Sequence, residues 1–494
     1  MTPPDPQTLP RRTFIRNASL AAAGFYIVPR HVLGRGYTAP SDKLNIAAIG
    51  SGGKGKDNIQ KAWNNGAENI AALCDVDDRQ AAAMFKKFPK APRYKDFRVM
   101  LEKEHRNIDA VIIATPDHTH TVATLAAMQS GKHVYTQKPL THDIYEAREL
   151  TRAAARYPKL VTQMGNQGSS GDDTRNVEAW VQAGLIGPVH RVHCWTNRPV
   201  WPQGLPTPKE KQAVPPELDW NLWLGTAPQR DYNSAYLPFN WRGWWDYGTG
   251  ALGDMACHIM DVPFRALQLQ YPTEVQCSVG SVYSDFFQED YHMDSCPPSS
   301  VIYLQFPERK APAGWKINLP AVEVIWYDGG ILPRRPDELL PDEQMGDWDG
   351  GVIFEGSKGK IMTGMWGMKP TLLPTRRMKE ADLPSPTRPL VPRGADGHET
   401  QWVEACKKGD PKAVSSPFSQ AGPLTEMVLM GNLAIRSYMY HEEGTIESEG
   451  GIKSTGTIFP GRKKLLWDGE AMRITNFDAA NRYVKRTYRG EWNS

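Results

Sequence analysis

The first part of the chain alternates short apolar runs with segments of helical periodicity. The runs are continuous rather than alternating, which is typical of strands covered on both faces. Between them, stretches such as HTVATLAAMQSG and DIYEARELTRAAARY carry apolar residues three and four positions apart. This order predicts a parallel, doubly wound sheet. The predicted strands are NIAAI (45–49), NIAALC (69–74), DAVIIA (109–114), HVYT (133–136) and LVTQM (160–164).

After about residue 165 the pattern changes to alternating strands separated by proline-rich loops. Helices are predicted near 172–183, over about 254–267 and in GPLTEMVLMGNLAIRSYMY (422–440). The predicted strands are VHRVHCW, TEVQCSVGSVYS, SVIYLQF, AVEVIWYDGG and VIFEGSKGKIMTG, the last a hairpin that turns at GSKG. We therefore predict an α/β protein: a doubly wound parallel domain over 41–165, then an α+β domain over 166–494 with a large, mostly antiparallel sheet.

A glycine-rich loop, GSGGKG, lies between the first predicted strand and the first predicted helix. It matches GxGxxG, in which the glycines permit a tight turn, close approach to a pyrophosphate and close packing of helix on strand. The helix N-terminus also offers unpaired N–H groups to phosphate oxygens. Asp75 ends the next strand, twenty residues after Gly55, where a carboxylate accepts both ribose hydroxyls and repels a 2′-phosphate. We therefore predict a Rossmann fold that binds NAD rather than NADP. The predicted cofactor loop consists of Gly50, Ser51, Gly52, Gly53, Lys54 and Gly55.

Two further stretches, IATPDHTHT (113–121) and GKHVYTQKPLTHDIYEA (131–147), follow the next two predicted strands. With the glycine loop they resemble the Gfo/Idh/MocA oxidoreductases, the group that contains glucose-fructose oxidoreductase and inositol dehydrogenase, over about 43–283. The resemblance implies that Lys138 reaches both cofactor and substrate. Gln137 stands where the family usually has glutamate, so a neutral side chain alters the charge beside the lysine. The further cofactor contacts that the resemblance implies are Thr115, Pro116 and His118 beside the nicotinamide ribose, and Asn166 near the nicotinamide.

A second motif of the same family lies in GTGALGDMACHIMD (248–261). Asp254 and His258 are four residues apart and Asp261 follows three later, so on one continuous helix all three project from one face. Oxidation of a secondary alcohol requires loss of the hydroxyl proton, which a histidine accepts near neutral pH, while a charged Lys138 stabilises the alkoxide. We therefore predict Lys138, His258 and Asp254 as catalytic residues. In the alternative explanation Asp254 is the N-cap of a helix and His258 is structural.

Seven tryptophan and tyrosine residues crowd the stretch from Asp219 to Asp246. Aromatic faces and an arginine suit a carbohydrate pocket, and core packing explains the same residues equally well. Trp241 and Arg242 are the predicted substrate contacts, because they lie just before the Asp-His motif. The pair His118 and His120 lacks a third ligand, so we predict no metal site.

The first forty residues have the order of an export signal. Arg11 and Arg12 precede the weakly apolar stretch ASLAAAGFYIV (18–28), which resembles a twin-arginine signal. The alternative is an amphipathic terminus without a targeting role. Residues 1–40 are therefore predicted to be a signal and linker, and the protein is predicted to be periplasmic.

None of the six cysteines shows CxxC spacing. Export would permit disulfides, but for most of the cysteines a buried, small hydrophobic side chain is the better explanation.

Composition excludes several classes of partner. Lys and Arg number 58 against 55 Asp and Glu, without a basic cluster interleaved with aromatics, so nucleic acid is not an expected partner. After the first forty residues no run of eighteen apolar residues occurs, so no membrane partner is expected. We expect an NAD-dependent oxidoreductase acting on a ring hydroxyl of a sugar or glycoside, at carbon 3, with an electron acceptor and as a homo-oligomer through the C-terminal sheet. Two alternatives stay open: a redox-neutral glycoside hydrolase, and a sugar-binding protein that retains NAD.

Overall fold

A computed structural model describes residues 42–447 and 453–493. The predicted export signal, 1–40, lies outside the described residues. The predicted domain border near residue 165 stays a prediction. Two large sheets and the helices packed on them make up most of the described chain.

The first sheet has six parallel strands, ordered β3-β2-β1-β4-β5-β6. This order confirms the predicted doubly wound sheet, and it reverses between β1 and β4, where such sheets bind ligands at their carboxyl ends. The strands are β1 (Asn45–Ile49), β2 (Asn69–Cys74), β3 (Arg93–Tyr94), β4 (Ala110–Ile113), β5 (His133–Thr136) and β6 (Thr162–Met164). The helices between and beside them are α1 (Gly53–Trp63), α2 (Asp78–Lys87), α3 (Phe97–Lys103), α4 (His120–Gln129) and α5 (Ile144–Arg156).

Strand β1 shows why the apolar runs of this sheet are continuous. Ile46 and Ala48 belong to one hydrophobic cluster, whereas Ala47 and Ile49 belong to another on the opposite face. Because both faces are covered, neither set of side chains can be polar without loss of buried apolar area.

The second sheet has nine strands, ordered β15-β14-β13-β7-β12-β11-β8-β18-β19. The β7–β12 pair is parallel and the other neighbours are antiparallel, which confirms the predicted large, mostly antiparallel sheet. The elements that follow β6 are α6 (Asp172–Gln182), β7 (Val189–Thr196), α7 (Trp220–Leu224), α8 (Gly250–Ile259), α9 (Asp261–Ala266), β8 (Glu274–Val279), β9 (Val282–Asp285), β10 (Gln288–Asp290), β11 (Ser300–Phe306), β12 (Val322–Tyr327), β13 (Gly350–Gly356), β14 (Gly359–Gly364), β15 (Thr371–Leu373), α10 (Arg377–Glu380), α11 (His398–Lys408), α12 (Phe418–Met439), β16 (Glu442–Glu447), β17 (Lys453–Ile458), β18 (Leu465–Asp468) and β19 (Arg473–Ile474).

Two features of the predicted helix 254–267 were wrong. The helix begins at Gly250 with Thr249 as N-cap, so Asp254 lies in its second turn and is not an N-cap. The helix also ends at Ile259, and Asp261 begins the separate helix α9. Because of this break, Asp261 does not continue the face of Asp254 and His258. Its carboxylate instead accepts from Arg265 Nε at 2.8 Å and from Ser169 Oγ at 2.7 Å.

The long buried helix α12 packs against α5, α8 and β8, and so joins the two sheets into one core. All six cysteines are free and buried, as the hydrophobic explanation predicted. Within residues 42–447 and 453–493, no helix combines the length and apolar character needed to cross a bilayer.

We expect Gly55→Ala to destabilise the protein strongly. A Cβ at Gly55 would overlap the carbonyl oxygen of Gly50, a backbone atom that a side-chain rotation cannot move. The expected loss in free energy of unfolding is about 2–4 kcal/mol, measured by urea denaturation. Gly53→Ala is the control in the same loop: its Cβ would meet nothing within 4 Å, so only the positive φ of 45° costs about 1 kcal/mol. Equal losses in both variants would contradict the packing explanation.

Candidate functional site

A cavity of about 630 Å³ opens at the carboxyl ends of β1, β4 and β5. Its size is within the range of small-molecule sites. One part is lined by the glycine loop and Asp75, and the other by residues from α8 and from the loops near Trp241 and Trp366. The predicted site residues that line it are Gly50, Gly52, Gly53, Lys54, Asp75, Thr115, Pro116, Gln137, Lys138, Trp241, Arg242, Asp254 and His258.

The glycine loop packs closely against the residue that follows β4. Gly50 has a φ of 83°, and a Cβ there would lie 2.5 Å from the carbonyl oxygen of Ala114. Ser51 and Gly55 are buried within the loop and do not line the cavity, so their role is to hold its shape. The loop leads directly into α1. The first N–H groups of this helix belong to Gly53 and Lys54, which line the cavity.

Asp75 braces this loop and also faces the cavity. Its Oδ2 accepts the backbone N–H groups of Ser51 at 2.8 Å and Gly52 at 3.2 Å, and its Oδ1 accepts that of Asp77 at 3.0 Å. Burial raises the pKa of the Asp75 carboxyl, although these hydrogen bonds oppose the shift. The backbone N–H groups at the start of α1 and the carboxylate of Asp75 fit the phosphates and the adenosine ribose of NAD.

Lys138, Asp254 and Arg242 form a buried charge cluster. Lys138 Nζ donates to the Asp254 carboxylate at 2.8 Å and to its backbone carbonyl at 2.6 Å, and Arg242 Nε lies 3.4 Å from the same carboxylate oxygen. The side chains of Lys138 and Asp254 are only 15% and 14% exposed. Burial raises the pKa of Asp254, but the two cations outweigh it, so the net shift is downward and the carboxylate stays ionised.

His258 lies one turn after Asp254 and lines the same cavity. Burial and then the positive charge of Lys138 push the pKa of its imidazole well below the usual value, whereas the Asp254 carboxylate opposes them. The imidazole is therefore neutral near pH 7 and able to accept a proton. Its Nδ1 atom is buried without a hydrogen-bond partner among the described residues.

Two further residues line the cavity, Asp117 from the quoted motif 113–121 and Trp366, for which no role was predicted. Asp117 is buried and accepts from Thr249 Oγ1 at 2.7 Å, and burial raises the pKa of its carboxyl. Trp366, from the connection between β14 and β15, packs on His258 with ring centroids 5.5 Å apart and adopts a φ of 64°. Its own stretch, GMWGM, contained a glycine pair typical of an irregular turn, which was the available hint.

Besides Ser51 and Gly55, two other predicted cofactor residues, His118 and Asn166, do not line the cavity. His118 is buried, its ring nitrogens lie 3.3 Å from the Tyr247 carbonyl and 3.0 Å from that of Trp223, and burial lowers its pKa to about 3. Asn166 is buried as well, with its Nδ2 3.4 Å from the Cys257 carbonyl. Both positions brace the elements around the site; the neighbouring Thr115 and Pro116 reach the cavity itself.

Arg242 lies among aromatic rings at the cavity wall. Its guanidinium carbon is 4.3 Å from the ring centroid of Trp241 and 4.1 Å from that of Phe239. Other aromatic residues of the 219–246 stretch, including Trp220, Trp223 and Tyr236, pack against one another in a hydrophobic cluster that also contains Trp241. Most of the stretch is therefore core, and Trp223, Trp241 and Arg242 also line the cavity. The carbohydrate pocket stays a prediction.

Two family models match consecutive parts of the chain. Residues 44–164 match an oxidoreductase family described by its NAD-binding Rossmann fold, and residues 173–281 match its C-terminal alpha/beta domain. The class defined here is thus an NAD-binding oxidoreductase fold, and the predicted cofactor NAD is confirmed. These two parts of the chain are thus similar to the two domains of the Gfo/Idh/MocA oxidoreductases.

Curated relatives match only part of the chain. An inositol 2-dehydrogenase from Rhodococcus erythropolis is 28% identical over 162 residues, 33% of this chain and 46% of that protein. A glycosyl hydrolase family 109 protein from Shewanella pealeana is 28% identical over 203 residues, 36% of this chain and 44% of that protein. The chain therefore spans less than half the length of these relatives.

Solved structures share the fold at low identity. The WlbA dehydrogenase from Bordetella pertussis, in complex with NADH and UDP-GlcNAcA, has a TM-score of 0.51 at 16% identity, covering 79% of this chain and 95% of that one. An oxidoreductase from Thermotoga maritima has a TM-score of 0.50 at 13% identity, covering 79% of this chain and 96% of that one.

In the part of the chain that the structure describes, no cluster of three His, Cys, Asp or Glu side chains could hold a metal ion.

We expect Asp75→Ala to weaken NAD binding about tenfold or more and to reduce the preference for NAD over NADP. The variant loses both the ribose acceptor and the brace of the glycine loop, and it removes the charge that repels a 2′-phosphate. Isothermal titration of both dinucleotides measures the change. Asp78→Ala, at an exposed position of α2, is the matched control, and an unchanged preference in Asp75→Ala would contradict the assignment.

We expect the imidazole of His258 to remain neutral at pH values well below about 6.5, the ordinary pKa of histidine. Burial and Lys138 disfavour the imidazolium, while Asp254 favours it. Asp254→Asn should therefore lower the pKa of His258 further, and Lys138→Met should raise it toward the ordinary value. Nuclear magnetic resonance of the histidine side chains measures these shifts, with His258→Asn to assign the signal. A wild-type His258 that becomes protonated at or above pH 6.5 would refute this arrangement.

Proposed function

We propose that the protein is an NAD(H)-dependent oxidoreductase that acts on a secondary ring hydroxyl of a sugar or glycoside, at carbon 3. The observation that carries the proposal is the Lys138–Asp254 ion pair beside a neutral His258, in the same cavity as the NAD-binding loop. Oxidation of an alcohol requires a proton acceptor and a hydride acceptor, and an ammonium stabilises the alkoxide that develops.

A carbohydrate substrate is supported by the wall opposite the glycine loop. Trp241 and Phe239 offer flat apolar faces near the Arg242 guanidinium, and the Asp117 carboxylate provides an acceptor for a hydroxyl group. Arg198 and Asp349 form an ion pair of 2.8 Å that also lines the cavity. Two relatives are named inositol 2-dehydrogenase, and inositol is a polyol, which favours the same substrate class.

In the proposed reaction, Lys138 donates a hydrogen bond to the reacting hydroxyl oxygen and stabilises the negative charge that develops there. His258 accepts the hydroxyl proton, and Asp254 positions both groups. Bound NAD supplies a hydride acceptor at the nicotinamide. Trp366 and Met365 cover the cavity near His258 and exclude water.

A second candidate is the redox-neutral glycoside hydrolase, favoured by the glycosyl hydrolase family 109 relative. In that reaction, oxidation at carbon 3 acidifies the neighbouring C–H. Loss of that proton expels the aglycone from the sugar, and water addition with re-reduction returns the electrons to the substrate. No external oxidant is consumed, so an exported enzyme with tightly held NAD would turn over without a free pool of the cofactor.

We extend the proposal to location and assembly. The Arg11–Arg12 segment supports export in the folded state, which would carry bound NAD to the periplasm. For the dehydrogenase, an electron acceptor must then regenerate the cofactor in place. Assembly of identical copies through the outer face of the nine-stranded sheet belongs to the same proposal, and Tyr303 of β11 is exposed on that sheet.

We expect Lys138→Ala to lower kcat by about 10²–10⁴-fold, because the variant lacks the ammonium that stabilises the alkoxide. The assay is a panel of aryl glycosides with the purified protein, followed with and without an artificial electron acceptor. Lys159→Ala, at an exposed position outside the cavity, is the control and should keep wild-type turnover. Undiminished turnover in Lys138→Ala would remove the lysine from the mechanism.

The same panel separates the candidate functions. Keto-sugar formation that needs an acceptor supports the dehydrogenase, and aglycone release without an acceptor supports the hydrolase. Substrate binding without either product, in protein that carries NAD, would overturn both catalytic proposals and leave the sugar-binding protein.

A further inference from the structure

The last described segment of the chain brings a tryptophan to the nucleotide end of the cavity. Trp492 lies in the short helical turn Gly490–Asn493, more than four hundred residues after the glycine loop, and it lines the cavity. Its ring centroid is 5.9 Å from that of Phe97, and the Arg98 guanidinium carbon lies 4.4 Å from it. The indole therefore contacts an aromatic ring and a cation.

The neighbours of Trp492 show which end of the cavity it lines. Phe97 begins α3 directly after β3, and β3 pairs with the end of β2. The Asp75 N–H donates to the Tyr94 carbonyl at 3.0 Å, which holds this segment beside Asp75. In a dinucleotide the adenine is bonded to the ribose whose hydroxyl groups this aspartate would accept. Trp492 therefore lies at the adenosine end, away from Lys138 and His258.

The segment that carries Trp492 is held firmly on the rest of the chain. Arg486 Nη2 donates to the His118 carbonyl at 2.6 Å and to Glu146 Oε1 at 2.7 Å, and Tyr488 OH donates to the same carboxylate oxygen at 2.5 Å. Arg489 Nη2 donates to the Asn221 carbonyl at 2.9 Å. These contacts place the indole without help from a ligand, so the wall that it forms is present before binding.

The indole also carries an unused donor. Trp492 is 8% exposed, and its Nε1 atom is buried without a hydrogen-bond partner among the described residues. Such a donor costs free energy unless it meets an acceptor. The ring nitrogens of a purine and the oxygens of its ribose are acceptors, whereas an apolar ligand offers none.

We propose that Trp492 is the adenine-binding wall of the NAD site, contributing an aromatic surface for the base and an N–H donor to the adenosine. The inference rests on the NAD-binding part of the proposed function and adds a residue to it from outside the Rossmann fold. It also predicts slow release of NAD, because release of the base requires separation from a ring anchored by Arg486, Tyr488 and Arg489.

The test compares two fragments of the cofactor as probes on protein freed of NAD: ADP-ribose, which contains the adenine, and nicotinamide mononucleotide, which does not. Loss of base stacking in Trp492→Ala should weaken ADP-ribose binding about 10- to 100-fold and leave the mononucleotide within about twofold of wild type. Trp492→Phe keeps an aromatic face without the N–H donor and should lose only a few-fold. Isothermal titration and the NAD content of the freshly purified variants are the readouts.

Trp467→Ala is the matched control, because Trp467 is 6% exposed, has an unpartnered Nε1 and lies in β18 outside the cavity. It should bind ADP-ribose as the wild type does. If Trp492→Ala does not fold, hydrogen exchange of the wild type decides: ADP-ribose should protect residues 486–492 and the mononucleotide should not. Wild-type ADP-ribose affinity in folded Trp492→Ala, or no selective protection, would overturn the inference. Because these readouts measure binding, absence of turnover would refute the proposed reaction and leave this result untouched.

Discussion

The ion pair between Lys138 and Asp254 is the interaction on which the candidate site depends. It connects the end of β5 in the parallel sheet with the second turn of α8, which packs beneath the large sheet. Removal of two charges from water costs several kcal/mol for each ion, so this pair is a weak source of stability. Its effect is geometric: the ammonium is fixed by a carboxylate and a backbone carbonyl at 2.8 and 2.6 Å, in a cavity that also contains His258.

The neutral Gln137 changes how the region beside Lys138 is held together. Its Nε2 donates to Asn58 Oδ1 at 2.9 Å, and Asn58 Nδ2 donates to Glu399 Oε1 at 2.7 Å. A buried carboxylate thus reaches this network from α11, far along the sequence, through two amides. Gln137, which directly follows β5, is uncharged, and the anion that Lys138 contacts is Asp254. A partly unsatisfied buried network is costly, and the unpartnered Oε2 of Glu399 shows that this one is not complete among the described residues.

The sequence predicted those parts of the structure that depend on local pattern. Continuous apolar runs located β1, β2 and β5 to the residue, and the glycine spacing with Asp75 located the cofactor loop. It could not predict the break at Met260, because apolar periodicity continues through α8 and α9 while a short turn redirects Asp261. Trp366, Glu399 and Trp492 were also missed, since each reaches the site only through tertiary packing across hundreds of residues. A lone tryptophan or glutamate carries no spacing signal that distinguishes a site from a core.

The opposing influences on His258 connect this geometry with the proposed chemistry. In the resting arrangement Lys138 neutralises Asp254, and burial together with the ammonium keeps the imidazole uncharged. In the proposed reaction the ammonium turns part of its hydrogen bonding toward the substrate oxygen, so the Asp254 carboxylate is less compensated at that moment. An uncompensated carboxylate four residues away on the same helix face raises the proton affinity of the imidazole. In this proposal His258 therefore becomes a stronger base only when a substrate hydroxyl accepts a hydrogen bond from Lys138. Deprotonation is thus coupled to substrate binding, and His258 stays neutral otherwise.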